Sequence, residues 1–171
     1  MFFQRKKDDP QEKKEERVIH PGDKVSMSAG AQKTAPDVYQ SIMMEKQVGE
    51  LVNKKSLLIV LPSDSVEKIV QLLQKEKQSA VLVVQHEQLL GIVSKRDLLR
   101  RTAGMETKLS GLKALEVMTA NPEIVKAADP LAFAVSKMAM GGFRHLPVLS
   151  DEGDPIGIIS IQDVLNCLAP L

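Results

Sequence analysis

The feature that most limits how this chain can fold is an internal repeat. Gly91-Ile92-Val93-Ser94 recurs as Gly157-Ile158-Ile159-Ser160, and three residues past each serine stands an aspartate, Asp97 and Asp163. The offset from Gly91 to Gly157 is 66 residues. Upstream, Asp64 matches Asp129 and Val83 matches Val148 at an offset of 65. One residue is therefore inserted in the polar turn Ser150-Asp151-Glu152-Gly153-Asp154, where a loop absorbs it easily. Two copies of one supersecondary unit are expected to stack as a pseudo-symmetric pair.

Each copy has the order strand, helix, strand, strand, helix. Leu57–Leu61 and Glu123-Ile124-Val125 are the short opening strands. The helices that follow place Val66, Ile69, Val70 and Leu73 on one face, and Leu131, Ala134, Val135 and Met138 on the other copy's equivalent face. Asp64 with Glu67 reads as a capping box; Asp129 reads as an N-cap with Pro130 at the first helical position. The helices should stop near Gln78 and at Gly141-Gly142. Ala80–Val84 and Leu89–Ser94 form one hairpin, His145–Leu149 and Pro155–Ser160 the other. Closing helices carry Leu98 and Leu99, and Val164, Leu165 and Leu168. The fold class is α+β, two tandem βαββα units with small sheets backed by helices. The expected division is a tail over 1–47, a first unit over 48–101, a linker over 102–113 and a second unit over 114–171. The tail is polar and rich in both signs of charge, which leaves little to bury. Val38, Ile42, Met43 and Val48 suggest a helix leading out of it, from about residue 38.

Aromatic residues make up 3% of the chain and Trp is absent, so the core must be aliphatic. The net charge of +1 gives no pull toward nucleic acid or a membrane surface, and neither is an expected partner. No apolar run approaches the ~18 residues of a membrane helix, and no secretory leader follows Met1, so the cytoplasm is the default location. A single cysteine, Cys167, excludes an internal disulfide and a cysteine-rich zinc site; among Val164, Leu165 and Leu168 it reads as a buried, inert thiol. His20, His86 and His145 lack metal-ligand spacing, and no Walker loop or nucleophile motif is present. The expectation is no enzyme, no metal and no required cofactor.

The chemistry-bearing element is Gly-x-x-Ser-x-x-Asp at the end of an apolar strand, as Gly91/Ser94/Asp97 and Gly157/Ser160/Asp163. A carboxylate can accept from two vicinal ribose hydroxyls, and a serine beside a helix N-terminus suits an anionic phosphate. The competing reading is a capping box, since Ser-x-x-Asp before an apolar helix is a common helix start. Both roles can fall on the same residues.

Three pieces together resemble the cystathionine-β-synthase (CBS) domain family over about Val48 to Leu168. They are Leu115-Glu116-Val117-Met118-Thr119-Ala120-Asn121-Pro122, then Phe143-Arg144-His145-Leu146-Pro147-Val148, then the repeated motif. The resemblance implies a CBS pair with two clefts that take AMP, ADP, ATP or S-adenosylmethionine as a regulatory ligand. It also implies association as a homodimer and regulation of a partner protein. Carried over, Asp163 is the ribose ligand, Ser160 a ribose or phosphate contact, and Thr119 through Pro122 the border of the base. Arg144 and His145 reach phosphate, with a surface strand position as the alternative for His145. The first copy keeps Ser94 and Asp97 but has Val52-Asn53-Lys54-Lys55 in place of Met118-Thr119, and Ser79-Ala80 in place of Arg144-His145. Its cleft is expected to be weaker, empty or of different preference, and the basic run from Ser94 to Arg101 is expected to be a solvated helix face. The alternative function is a dimerisation or scaffold module with empty clefts.

Overall fold

The computed structural model describes residues 35–52, 57–103 and 111–169. In chain order the elements are α1 (Ala35–Glu45), α2 (Val48–Leu51), β1 (Ile59–Val60), α3 (Val66–Lys75), β2 (Ala80–Gln85), β3 (Gln88–Ser94) and α4 (Lys95–Thr102). The second copy supplies α5 (Ala114–Val117), β4 (Thr119–Ala120), β5 (Val125–Lys126), α6 (Leu131–Gly141), β6 (His145–Leu149), β7 (Pro155–Ser160) and α7 (Ile161–Leu168).

The apolar runs of each copy form an antiparallel hairpin, β2 with β3 and β6 with β7. The first hairpin turns at His86 and Glu87, both left-handed with φ 50° and 66°, as a two-residue turn between twisted strands requires. The second turn is longer and places the flexible Gly153 at φ 100°. A helix crosses back from each opening strand so that β1 lies parallel to β2 and β5 parallel to β6. The sheet orders are β1-β2-β3-β4 and β5-β6-β7. The predicted helix faces are the buried ones: Val66, Ile69 and Leu73 pack with Val81, Val83 and Val93. Leu131, Ala134 and Met138 pack with Leu146, Val148 and Ile159. A third cluster, Ala80, Leu82, Val84 and Ile92 with Ile158, joins the two units.

The two sequence copies are not two bodies in space, because each lends its opening segment to the other. β4, from the second copy, pairs with β3 of the first through Gly91↔Ala120 and Ile92↔Thr119. Ala114, Val117 and Met118 are buried in the first copy's core, and Val48 is buried in the second's. The backbone bonds mirror each other: Ala114 N donates to Asp64 O at 2.8 Å, and Val48 N to Asp129 O at 2.8 Å. This exchange explains the motif glycines. A Cβ on Gly91 would stand 2.6 Å from Met118 Sδ and 2.9 Å from Thr119 O; one on Gly157 would stand 2.1 Å from Val52 Cγ1. Neither glycine has a positive φ; what they permit is close approach of the crossing segment.

Several expectations are corrected. Asp64 and Glu67 do not form the capping box. Asp64 Oδ2 turns back to accept from Leu61 N at 2.8 Å, and Ser65 is the N-cap, its Oγ accepting from Lys68 N at 3.2 Å. The hydrogen bond from the Lys68 ammonium, at 2.8 Å, holds the Asp64 carboxyl below its usual range. Asp129 likewise closes the preceding turn, accepting from Lys126 N at 2.8 Å, and Pro130 rather than Asp129 is the N-cap of α6. In both places the aspartate accepts from an N–H at the end of the incoming strand instead of from the helix. Cys167 is half-buried at the edge of the second core. α1 starts at Ala35 and contacts α6; residues 1–34, Asn53 to Lys55 and most of the expected linker lie outside the described residues.

Candidate functional site

Each motif ends a strand and starts a helix, and the two are built alike. Asp97 Oδ2 accepts from Ser94 N at 2.9 Å and from Ser94 Oγ at 2.5 Å, while Asp97 N donates to Ser94 Oγ at 3.3 Å. The Asp163 and Ser160 values are 2.8, 2.6 and 3.3 Å. Both pairs are therefore capping boxes. A box uses one carboxylate oxygen and leaves Oδ1 as an acceptor with two lone pairs. At Asp97 that oxygen faces Thr119 Oγ1, which donates to it across a long 3.4 Å.

Two neighbouring clefts follow from the exchange. The larger, about 680 Å³, is lined by Ser94 and Asp97 of the first copy together with Thr119, Pro122, Arg144 and His145 of the second. That volume lies within the ~300–1,000 Å³ of small-molecule sites. The smaller, about 290 Å³, holds Asp163 and Gly157 beside Lys77, Gln78 and Ala80. Ser160 and His145 border both. The grouping expected from the sequence is thus redistributed. Thr119, Pro122 and Arg144 gather around Asp97, and Asp163 lines the other cleft. The reason is the pairing of β4 with β3, which carries Thr119–Pro122 to the first copy's sheet edge. The first copy's motif, expected to serve the weaker cleft, lies in the larger one.

His145 stands where the two units meet. Its Nε2 is 2.7 Å from Ser79 Oγ. Burial, with help from the nearby Arg144 charge, pushes the imidazole below its ordinary pKa; Asp163 and Asp97 pull weakly the other way. A neutral ring between two carboxylates can take up a proton when an anion arrives. Arg144 is anchored through its backbone, its carbonyl accepting from Ile161 N at 3.0 Å, and its side chain is exposed along the larger cleft.

Some lining residues escaped the sequence reading. Lys95, Arg96 and Arg100, expected on a solvated face, border the larger cleft. Asn121, inside the expected Thr119–Pro122 border, turns the chain there at φ 46°. The available signal was a glycine inside an apolar strand, which marks close approach of another backbone.

Comparison with known proteins follows the same outline. A model of the CBS domain matches residues 48–104 and again 114–170. The CBS domain-containing protein CBSCBSPB1 of Arabidopsis thaliana is 30% identical over 110 residues, covering 64% of this chain and 20% of that protein. The chain spans only 20–27% of the length of the Arabidopsis relatives it matches. Among solved structures, the CBS-domain containing protein ATU1752 of Agrobacterium tumefaciens is 28% identical at a TM-score of 0.65, covering 71% of this chain and 98% of that one. CBSX2, a CBS-pair protein of Arabidopsis thaliana solved in complex with AMP, is 27% identical at 0.64, covering 72% and 97%. Two tandem matches, on two sheets that exchange their opening segments, place this chain in the CBS domain family.

Proposed function

We propose that the protein is a regulatory module that binds an adenine nucleotide in the larger cleft and catalyses no reaction. The observation that carries this reading is the convergence of Asp97, Thr119, Pro122, Arg144 and His145 on one cleft of ligand size. The AMP complex of the similar CBSX2 supports it. In this arrangement the base lies against Thr119–Pro122, and Asp97 Oδ1 accepts from the ribose hydroxyls. Arg144 offers the phosphate a fixed fork of donors, and His145 gains a proton as the anion binds. S-adenosylmethionine, whose sulfonium is cationic, fits a wall with Arg144 less well. The smaller cleft, with Ser160 and Asp163, is a second and weaker site. Exposed Phe133, Met140 and Leu165 are apolar surface that a homodimer or a regulated partner protein would cover.

The second reading, a scaffold with empty clefts, draws on the capping boxes, since both motif carboxylates already have a structural role. Thermal melting with adenosine, AMP and S-adenosylmethionine separates the two. Ligand at about 100 times its Kd stabilises by ~2.7 kcal/mol, so AMP should raise Tm clearly. Arg144→Ala should weaken AMP and leave adenosine unchanged. No shift with any of the three at millimolar concentration would leave the scaffold reading.

A further inference from the structure

We propose that the two clefts compete for the single side chain of His145, so that AMP bound in one weakens AMP in the other. This rests on the adenine-nucleotide reading above and adds a regulatory link between its two sites. The clefts share a wall: Ser79, His145 and Ser160 each border both. Ser79 comes from the first copy and His145 from the second, and they meet at 2.7 Å between Oγ and Nε2. That contact occupies one ring nitrogen. An imidazole has two, so Nδ1 alone is left for a ligand on either side.

The pseudo-symmetry supplies no second ring. His145 pairs with Ser160 as Ala80 pairs with Ser94, and at that equivalent position the first copy has only a buried methyl group. The charges acting on the ring come from both sides: Asp97 on α4, Asp163 on α7, and Arg144 beside it on β6. An anion in either cleft favours the protonated ring and draws its free donor. One ring commits that donor once, and the ligand arriving second finds it taken. Coupling of this kind is typically about 5–150-fold, and it is the same in both directions.

The test reads the smaller cleft by itself. The chain has no Trp, so Asn166→Trp, an exposed α7 position lining the smaller cleft, places a single fluorophore there. AMP is titrated into the full chain carrying this reporter, and again after Asp97→Ala has weakened the larger cleft. Both titrations are repeated with His145→Ala, which installs the residue the first copy already carries at the equivalent position. Calorimetry on the same proteins counts the AMP bound. With His145 present, Asp97→Ala should tighten the reporter's AMP response by about threefold or more. With His145→Ala the two responses should coincide. Equal responses with and without Asp97→Ala would show independent clefts and overturn the coupling. A shift that survives His145→Ala would show that the clefts communicate by another route, and it overturns the role of the ring. A silent reporter with one AMP per chain by calorimetry overturns the coupling as well, because the smaller cleft then holds nothing. All three results leave the adenine reading in place, whereas absence of AMP binding by both measurements removes it too.

Discussion

Replacing Asp97 and Asp163 separately by alanine divides the structural role of the motif from its ligand role. The two carboxylates have nearly identical cap geometry, with Ser N at 2.9 and 2.8 Å and Ser Oγ at 2.5 and 2.6 Å. Loss of the cap should therefore cost the same in both variants, about 1 kcal/mol. In a domain of this size that lowers Tm by roughly 2–4 °C. The clefts differ, since Asp97 borders the larger one beside Thr119 and Asp163 the smaller. Removing an acceptor shared by two ribose hydroxyls should cost about 1.5–3 kcal/mol of binding, a ten- to hundred-fold loss of affinity. Differential scanning calorimetry and titration of AMP on each variant read the two effects independently. The expected pattern is equal loss of stability with affinity lost at Asp97→Ala alone. Equal affinity losses, or a larger loss at Asp163→Ala, would refute the assignment of the ligand to the exchanged cleft.

Gly91→Ala should push Thr119 O and Met118 Sδ away from β3, destabilising the fold by about 1–3 kcal/mol and weakening AMP through the displaced Thr119; a neutral effect on melting would show that β4 does not pack there. His145 has a lowered pKa in the folded state, so the unfolded chain takes up its proton first. Stability should hold above about pH 6.5 and fall as the pH drops through that value, and His145→Gln should flatten this part of a melting curve series between pH 7.5 and 5.5; an unchanged slope would assign the effect elsewhere. Sedimentation at micromolar concentration should give a dimer mass, and substitution of the exposed Phe133 and Met140 by polar residues should shift it toward monomer.

The repeat made the elements legible. Apolar period, turn residues and the glycine-serine-aspartate motif located hairpins and closing helices, and the burial of Ile69, Leu73, Leu131 and Met138 follows from their spacing. The exchange of segments was not legible, because Thr119 and Ala120 are both exposed and a two-residue strand carries no apolar pattern to name its sheet. The placing of Thr119 and Pro122 beside Asp97 depends on that pairing, which the sequence does not display. The caps were misread for a local reason: Asp64 and Ser65 are adjacent and equally suited to capping, and only the path of the incoming loop decides between them. The basic run on α4 shows the same limit, since helical period places Lys95, Arg96 and Arg100 on the exposed side without revealing that a cleft opens there.

Photolabelling with 8-azidoadenosine 5′-monophosphate, followed by peptide mapping, tests the location of the site most directly, because the azide reacts with whatever lies against the base. Label is expected on the Thr119–Pro122 segment, abolished by excess AMP, retained at the same probe concentration in Asp163→Ala and reduced in Asp97→Ala. Label concentrated on Lys77–Ala80 in the smaller cleft, or spread over the surface and indifferent to AMP, would contradict it.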